Sequence, residues 1–84
     1  MNKNLDDLYD LLNEGKVEIK FKSLRSQREI VGICTLNDRM IPNNIEINQS
    51  KDSESILCFL LNELRWEDIN KKTIIEYKKI NEKL

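Results

Sequence analysis

The side chains in this sequence that are best suited to chemistry are basic ones concentrated in one stretch. The stretch contains Lys16, Lys20, Lys22, Arg25 and Arg28 and is interrupted by Glu18. Cations in such a run can contact the phosphates of a nucleic acid or an acidic surface of a protein. A solvated face is the simpler alternative, because charged side chains protect an edge strand from pairing with other chains. The stretch is therefore a candidate binding surface.

A second candidate binding feature is the neighbouring pair Arg65 and Trp66. Tryptophan and arginine contribute strongly to the binding energy of protein interfaces, so the pair can anchor a partner protein. Trp66 and Tyr77 are also the aromatic side chains available for stacking on bases, since Phe21 and Phe59 belong to the core pattern. We therefore predict a partner-binding surface made of Lys20, Lys22, Arg25, Arg28, Arg65 and Trp66.

Catalytic, cofactor-binding and metal-binding sites are not expected from the residue types present. The chain contains no histidine, which removes the commonest general base and metal ligand. Its two glycines are far apart, so they cannot form a loop that cradles a phosphate. Asp6, Asp7 and Asp10 are explained by the dipole of a predicted helix. Glu67 and Asp68 are adjacent, so in a strand they point to opposite faces and cannot act as a catalytic pair.

Length and composition predict one small folded domain over residues 1–84. Apolar residues make up 39% of the chain and charged residues 35%, and the apolar ones form patterned clusters. The net charge of −1 lacks the basic excess that is typical of nucleic-acid-binding domains. Cys34 and Cys58 lie in apolar runs and no signal-peptide pattern is present, so we expect two buried free thiols in a cytoplasmic protein. No apolar run is long enough to span a membrane.

The first predicted element is an amphipathic helix over residues 3–14. Its apolar face has helical spacing and consists of Leu5, Leu8, Tyr9 and Leu12. Asn4 is the predicted N-cap, and Gly15 is predicted to end the helix in the left-handed conformation.

Two strands are predicted to follow this helix, over residues 16–22 and 28–36. In the first, Val17, Ile19 and Phe21 alternate with charged residues, which is typical of a half-buried strand. The second is more continuously apolar, and Gly32 within it indicates a bulge or a bend. Residues 37–55 read as turns and loops, with a short strand at Ile45 and Ile47 and an exposed loop over residues 49–55.

The last third of the chain contains one ambiguous element. Residues 56–64 fit either a helix, with leucines at helical spacing, or a buried strand, and the pattern alone slightly favours the helix. Residues 65–69 follow, residues 70–73 form a predicted turn, and residues 74–80 form the last strand. Simple alternation in that strand places Ile74 and Tyr77 on opposite faces.

The chain resembles a family of short proteins of tailed bacteriophages. That family is described as a WYL-like domain of unknown function with an Sm-like, SH3-type β-barrel. The resemblance is carried by Leu12, Gly15, Val17, Ile19, Phe21, Arg28, Cys34-Thr35-Leu36 and Pro42, and later by Trp66, Ile69, Ile74 and Ile75. It implies a mainly β (α+β) fold, with the helix over 3–14 leading into a barrel of about five strands over 16–80. It also favours a strand at 56–61. The arginine that usually follows the tryptophan is replaced here by Glu67.

The resemblance and the residue types together lead to three functional hypotheses. The favoured one is a small non-enzymatic phage accessory protein in the host cytoplasm. It would bind a host or phage protein and modulate host transcription or defence. The alternative is an Sm-like nucleic-acid-binding module, which is argued from fold analogy alone. The third is a structural, homo-oligomeric component, because open barrels can pair through their edge strands.

Overall fold

One helix and a five-stranded antiparallel sheet make up the computed structural model, which describes residues 5–41, 49–50 and 52–80. The elements are α1 (Asp6–Glu14), β1 (Val17–Lys22), β2 (Glu29–Thr35), β3 (Ser55–Leu60), β4 (Arg65–Asn70), a 3-10 turn (Lys71–Thr73) and β5 (Ile74–Lys79). The strand order is β4-β3-β2-β1-β5. The predicted mainly β fold is therefore confirmed. Ile45, Ile47 and Pro42 lie outside the described residues.

Helix α1 lays its apolar face on the sheet and begins later than predicted. Leu5, Leu8, Tyr9 and Leu12 are all buried in the common core. The helix starts at Asp6 with Leu5 as its cap position, so the predicted start at residue 3 is wrong, and Asn4 lies outside the described residues. Gly15 does end the helix, but with an extended φ of 174° rather than the predicted left-handed conformation.

The pair Thr35-Leu36 fastens the end of α1 to the end of β2. The hydroxyl of the buried Thr35 donates to the carbonyl of Gly15 at 2.8 Å and accepts from the amide of Asn37 at 3.0 Å. The amide of Leu36 donates to the carbonyl of Leu12 at 2.9 Å. These bonds satisfy carbonyl groups that the last turn of a helix leaves without partners.

Strand β1 forms the centre of the half of the sheet made by β1, β2 and β5. As predicted, Val17, Ile19 and Phe21 are buried. A bulge lies opposite the β1 step from Lys20 to Phe21, so that Tyr77 pairs with Ile19 and Ile74 pairs with Phe21. Because the bulge inserts one extra residue, Ile74 and Tyr77 lie on the same face and both contact the core. The prediction that they lie on opposite faces is therefore wrong.

Strand β3 settles the ambiguous segment as a strand, in agreement with the family resemblance. It pairs with β4 along its whole length but with β2 at only two positions, Cys34 with Leu60 and Thr35 with Phe59. Leu57 lies beyond the end of β2, and the side-chain amide of Gln49 takes the place of a strand there. This amide donates to the carbonyl of Leu57 at 2.8 Å and accepts from its amide at 2.9 Å. The prediction of an exposed loop is therefore wrong for Gln49, which is half-buried.

The two ends of the sheet are β4 and β5, which do not pair with each other, so the predicted barrel is not closed in the described part of the chain. The 3-10 turn that joins them is capped by the Asn70 side chain, which accepts from the amide of Lys72. The turn predicted at residues 70–73 is therefore confirmed. No helix among the described residues has both the length and the apolar character needed to cross a membrane.

Gly32 marks a close approach between β2 and β3 rather than the predicted bulge or bend. The pairing of β2 with β1 continues through Gly32 without a shift. A Cβ atom at this position would lie 2.5 Å from Cδ2 of Leu60, whose side chain is fully buried. A glycine is therefore needed because the leucine fills the space that any larger residue would occupy.

We predict that Gly32→Ala destabilises the protein by about 1–3 kcal/mol, the usual cost of overpacking a well-packed core. The matched control is Val31→Ala, at the neighbouring position whose side chain is 50% exposed, which should cost less than about 1 kcal/mol. Urea unfolding followed by circular dichroism measures both changes. Equal midpoints for Gly32→Ala and the parent protein would show that Leu60 does not occupy this space.

Candidate functional site

A cleft of about 430 Å³ lies between the turn that joins β1 to β2 and the inner side of β4. One wall consists of residues 21–26 and Ile30, and the other of Arg65, residues 67–70 and Thr73. Phe21 and Ile69 are buried where the cleft meets the core, and Leu24 at the turn is 64% exposed. The cleft therefore combines an apolar base with an open, polar mouth.

The structure brings some of the predicted binding residues together and separates others. Lys22, Arg25 and Arg65 all line the cleft, although Arg65 is distant in sequence from the other two. Arg28 is exposed nearby but is not part of the lining. Lys20 lies on the outer face of the sheet, where its Nζ is 3.5 Å from Oε1 of Glu29.

Trp66 packs against the sheet instead of standing free as a binding anchor. Its ring meets the buried ring of Phe59 edge to face, with the centroids 5.4 Å apart and the planes at 75°. Phe59 is its register partner on β3, so this is an aromatic cross-strand pair that stabilises the hairpin. The exposed remainder of the indole is on the outside of β4.

Arg65 is held by two carboxylates of its own chain. Its Nε donates to Oε1 of Glu63 at 2.9 Å, and a second guanidinium nitrogen donates to Oε1 of Glu67. Hydrogen bonding to Glu67 and then to Glu63 raises the pKa of Arg65 above its ordinary value. The positive charge of Arg65 is thus offset within the hairpin, which does not favour its predicted role as an anchor for a partner.

Sequence reasoning missed Glu63 and Glu67 as partners of Arg65. For Glu67 the spacing did contain a usable signal, because residues two apart in a strand lie on one side, whereas Glu63 lies in the β3–β4 turn. Ile69, at the same period, is buried in the core, so Glu67 and Arg65 continue the inward-facing row of β4 beyond the core. The prediction that Glu67 and Asp68 point to opposite faces follows from the same rule.

The charged side chains around the cleft that lack an ion-pair partner have opposite signs on its two sides. Lys22 and Arg25 lie at the turn, whereas Asp68 lies on β4, with its side chain on the face opposite to that of the buried Ile69. Within the described ranges, none of these three side chains makes an ion pair. An incoming chain can therefore form new ion pairs on both sides without breaking existing ones.

The outer edge of β4 carries backbone groups that no described strand uses. The amide of Lys71 donates to the carbonyl of Glu54 at 2.9 Å, and these residues are opposite each other in the register of β3 and β4. Hydrogen-bonded and non-hydrogen-bonded pairs alternate along an antiparallel ladder. Ile69 and Glu67 therefore bond to β3, whereas Asp68 and Trp66 turn their amides and carbonyls outward.

Strand β5, in contrast, is joined to helix α1 by two side-chain contacts. The hydroxyl of Tyr77 donates to Oδ1 of Asp7 at 2.6 Å, and Nζ of Lys79 is 3.5 Å from Oε2 of Glu14. Burial, followed by the hydrogen bond to Asp7, raises the pKa of Tyr77 to about 12. The two end strands of the sheet thus differ, because among the residues that the structure describes β5 is tied to α1 and no contact of α1 with β4 is among those that hold the helix.

The predicted basic surface is not a continuous one. On the outer face of the sheet, Nζ of Lys78 is 3.3 Å from Oε2 of Glu18, and Lys20 pairs with Glu29. Lys20 also lies opposite Glu76 on β5. Positive and negative side chains therefore alternate across β2, β1 and β5, which lowers the attraction of this face for a phosphate backbone.

The two cysteines are unpaired and buried, as predicted from the sequence. A hydrogen bond with Cys34, reinforced by burial, raises the pKa of the Cys58 thiol well above its ordinary value. This thiol therefore stays protonated and acts as a small apolar side chain. Among the described residues, no three cysteine, aspartate or glutamate side chains are grouped so that they could hold a metal ion.

Comparisons of this chain with protein-family models, with curated proteins and with solved structures found no match.

We predict that Tyr77 titrates near pH 12 in the folded protein. Since this pKa is raised, protonated Tyr77 stabilises the fold below pH 10, and the contribution is lost as the pH rises towards 12. Asp7→Asn should lower the pKa of Tyr77 only in part, because burial is its larger cause. Ultraviolet absorbance titration in a Tyr9→Phe background isolates the Tyr77 signal.

The control for this titration is Glu76→Gln, which removes a charge from an exposed neighbour that does not contribute to the raised pKa of Tyr77. This substitution should leave the pKa of Tyr77 unchanged. An Asp7→Asn curve that superimposes on that of the parent would show that α1 and β5 are not joined by this hydrogen bond.

Proposed function

We propose that this protein is a small non-enzymatic binding module that holds a segment of a partner protein in the cleft between the β1–β2 turn and β4. The observation that carries the proposal is the pair of unpaired cations, Lys22 and Arg25, placed beside the exposed Leu24 and the open edge of β4. Such a site offers charge, apolar contact and backbone hydrogen bonds at one place. Peptide-binding sites use these three kinds of interaction.

The family resemblance extends this proposal to a biological setting. The strand order, the 3-10 turn between β4 and β5 and the docking of Thr35-Leu36 on α1 support an Sm-like, SH3-type arrangement of the sheet. On that basis the protein is a phage accessory protein that acts in the cytoplasm of the host. Its partner is a host or phage protein, and binding modulates host transcription or defence.

The alternation of charge argues for a protein rather than a nucleic acid as the partner. Lys20 is paired with Glu29, and Glu18 with Lys78, so the strand face offers few free cations for phosphates. Trp66 is packed on Phe59 and is only partly available for stacking on a base. The nucleic-acid-binding module therefore stays the second candidate, with Lys22, Arg25 and Arg28 as its remaining contacts.

We predict no measurable binding to generic single- or double-stranded oligonucleotides at physiological salt, measured by fluorescence polarisation. Nucleic-acid binding through about three phosphates would instead fall with salt with a log–log slope of about −2 to −3, and Lys20→Glu/Lys22→Glu would abolish it. Sub-micromolar, salt-sensitive binding would promote the second candidate above the proposal.

The positive test is an affinity pull-down from host cells with and without nuclease treatment. The proposal predicts a captured protein that resists nuclease and is lost with Lys22→Glu/Arg25→Glu. The control variant is Arg39→Glu, which makes a charge reversal of the same kind at an exposed position outside the cleft. Loss of capture in both variants, or in neither, would contradict a site in the cleft.

A further inference from the structure

We infer that β4 binds its partner by accepting an extended segment as an added strand, an inference that rests on the proposed function and names how the cleft is used. Trp66 and Asp68 each turn an amide and a carbonyl away from β3, at the side where the cleft opens. Unpaired backbone groups along an edge strand are a template for another chain. In strand addition, main-chain hydrogen bonds supply affinity and alternate side chains supply specificity.

The length of the open edge is defined at both ends by contacts of this chain. Towards the 3-10 turn, the carbonyl of Asn70 already accepts from the hydroxyl of Thr73 at 2.6 Å. Towards the start of β4, the chain turns back into the β3–β4 connection at Leu64, which has a left-handed φ of 55°. The edge from Trp66 to Asp68 therefore pairs with a short segment of a few residues and not with a long strand.

The partner is a different protein rather than a second copy of this chain. An antiparallel pairing of β4 with β4 that uses both Trp66 and Asp68 would place Glu67 directly opposite its own symmetry mate. Like charges in that position are destabilising. The side chains of Tyr77 and Lys79 on β5 are already bound to Asp7 and Glu14 of α1, so β5 of a second copy offers few free side-chain groups to β4.

The charges of the cleft define the chemistry of the added segment. Side chains of a strand alternate between two faces, so every second residue of the segment faces the cleft. The residue of the segment that lies over Phe21 and Ile30 is therefore apolar, and the one that lies beside Lys22 and Arg25 is acidic. On the outer face of the sheet, a basic residue of the segment next to Asp68 forms an ion pair with its carboxylate. The segment is thus an extended peptide with an apolar and an acidic residue two positions apart.

The probe for this inference is a set of synthetic ten-residue peptides with capped ends. Their odd positions alternate isoleucine and glutamate, and their even positions carry threonine or lysine. The control set has the same composition in scrambled order. In ¹⁵N–¹H correlation spectra we expect the patterned peptides to shift the amides of Trp66, Asp68 and Arg25 and to protect Trp66 and Asp68 from hydrogen exchange.

Backbone methylation of the peptide separates strand addition from side-chain binding. N-methylation of the peptide amides that pair with β4 should weaken binding by about tenfold, the loss expected for one or two hydrogen bonds. N-methylation at the intervening amides should leave binding nearly unchanged. Equal effects of the two methylation patterns would overturn strand addition and leave the proposed cleft in place.

A variant of the protein tests strand addition by changing β4 instead of the peptide. Asp68→Pro removes an outward-facing amide, so it blocks an added strand without removing a bond to β3. It should abolish the shifts, whereas Asp68→Asn, which keeps the amide, should retain them. If Asp68→Pro does not fold, the methylated peptides decide the question alone.

Two further outcomes would overturn the inference. The first is the absence of any shift at Trp66 and Asp68 up to millimolar peptide, in which case the pull-down described above decides the proposed function independently. The second is a change of the same amides with protein concentration in the absence of peptide. That result would identify a second copy of this chain as the occupant of the β4 edge.

Discussion

The short ladder between β2 and β3 is the constraint on which the rest of the structure depends. The two strands share only the pairs Cys34–Leu60 and Thr35–Phe59, because β2 ends at Thr35 and β3 ends at Leu60. The inner backbone groups of Leu57 would then be unsatisfied, and leaving such groups without partners costs about 1–3 kcal/mol each. The side-chain amide of Gln49 bonds to both the carbonyl and the amide of Leu57, so β3 extends beyond the end of β2 without unsatisfied backbone groups at this position.

The cleft lies where β2 extends beyond its ladder with β3, because Ile30 lines it together with the β1–β2 turn. The inward-facing row of β4 is apolar at Ile69, which is buried, and charged at Glu67 and Arg65, which form an ion pair. The salt bridge keeps that charged row ordered, although an exposed ion pair contributes little to stability. Strand β4 is an end strand of the sheet, so its outer backbone has no neighbouring described strand, and β5 at the other end is tied to α1 through Asp7 and Glu14. The charged cleft and the open edge thus lie on the same strand.

The sequence predicted those elements whose pattern depends on a single buried face. Alternation found β1 because Val17, Ile19 and Phe21 are buried while their neighbours meet water. It could not identify β3, where Ile56 and residues 58–60 are all buried and no alternation remains. The bulge in β5 depends on its register with β1, and the role of Gln49 depends on a partner eight residues away.

The cleft itself joins residues 21–26 to residues 65–70, which no local pattern connects. Lys22 and Arg25 were found in the basic stretch and Arg65 by residue type, without the cleft that brings the three together.

The claim that β4 offers an open edge is tested most directly by native-state hydrogen exchange of single amides in the free protein. The account predicts that Trp66 and Asp68 exchange almost as fast as an unstructured chain, while Glu67 and Ile69, which bond to β3, are protected. Leu57 should also be protected, because its amide donates to Gln49. Strong protection of Trp66 and Asp68 in the monomer would show that another segment already covers this edge, and it would contradict the account.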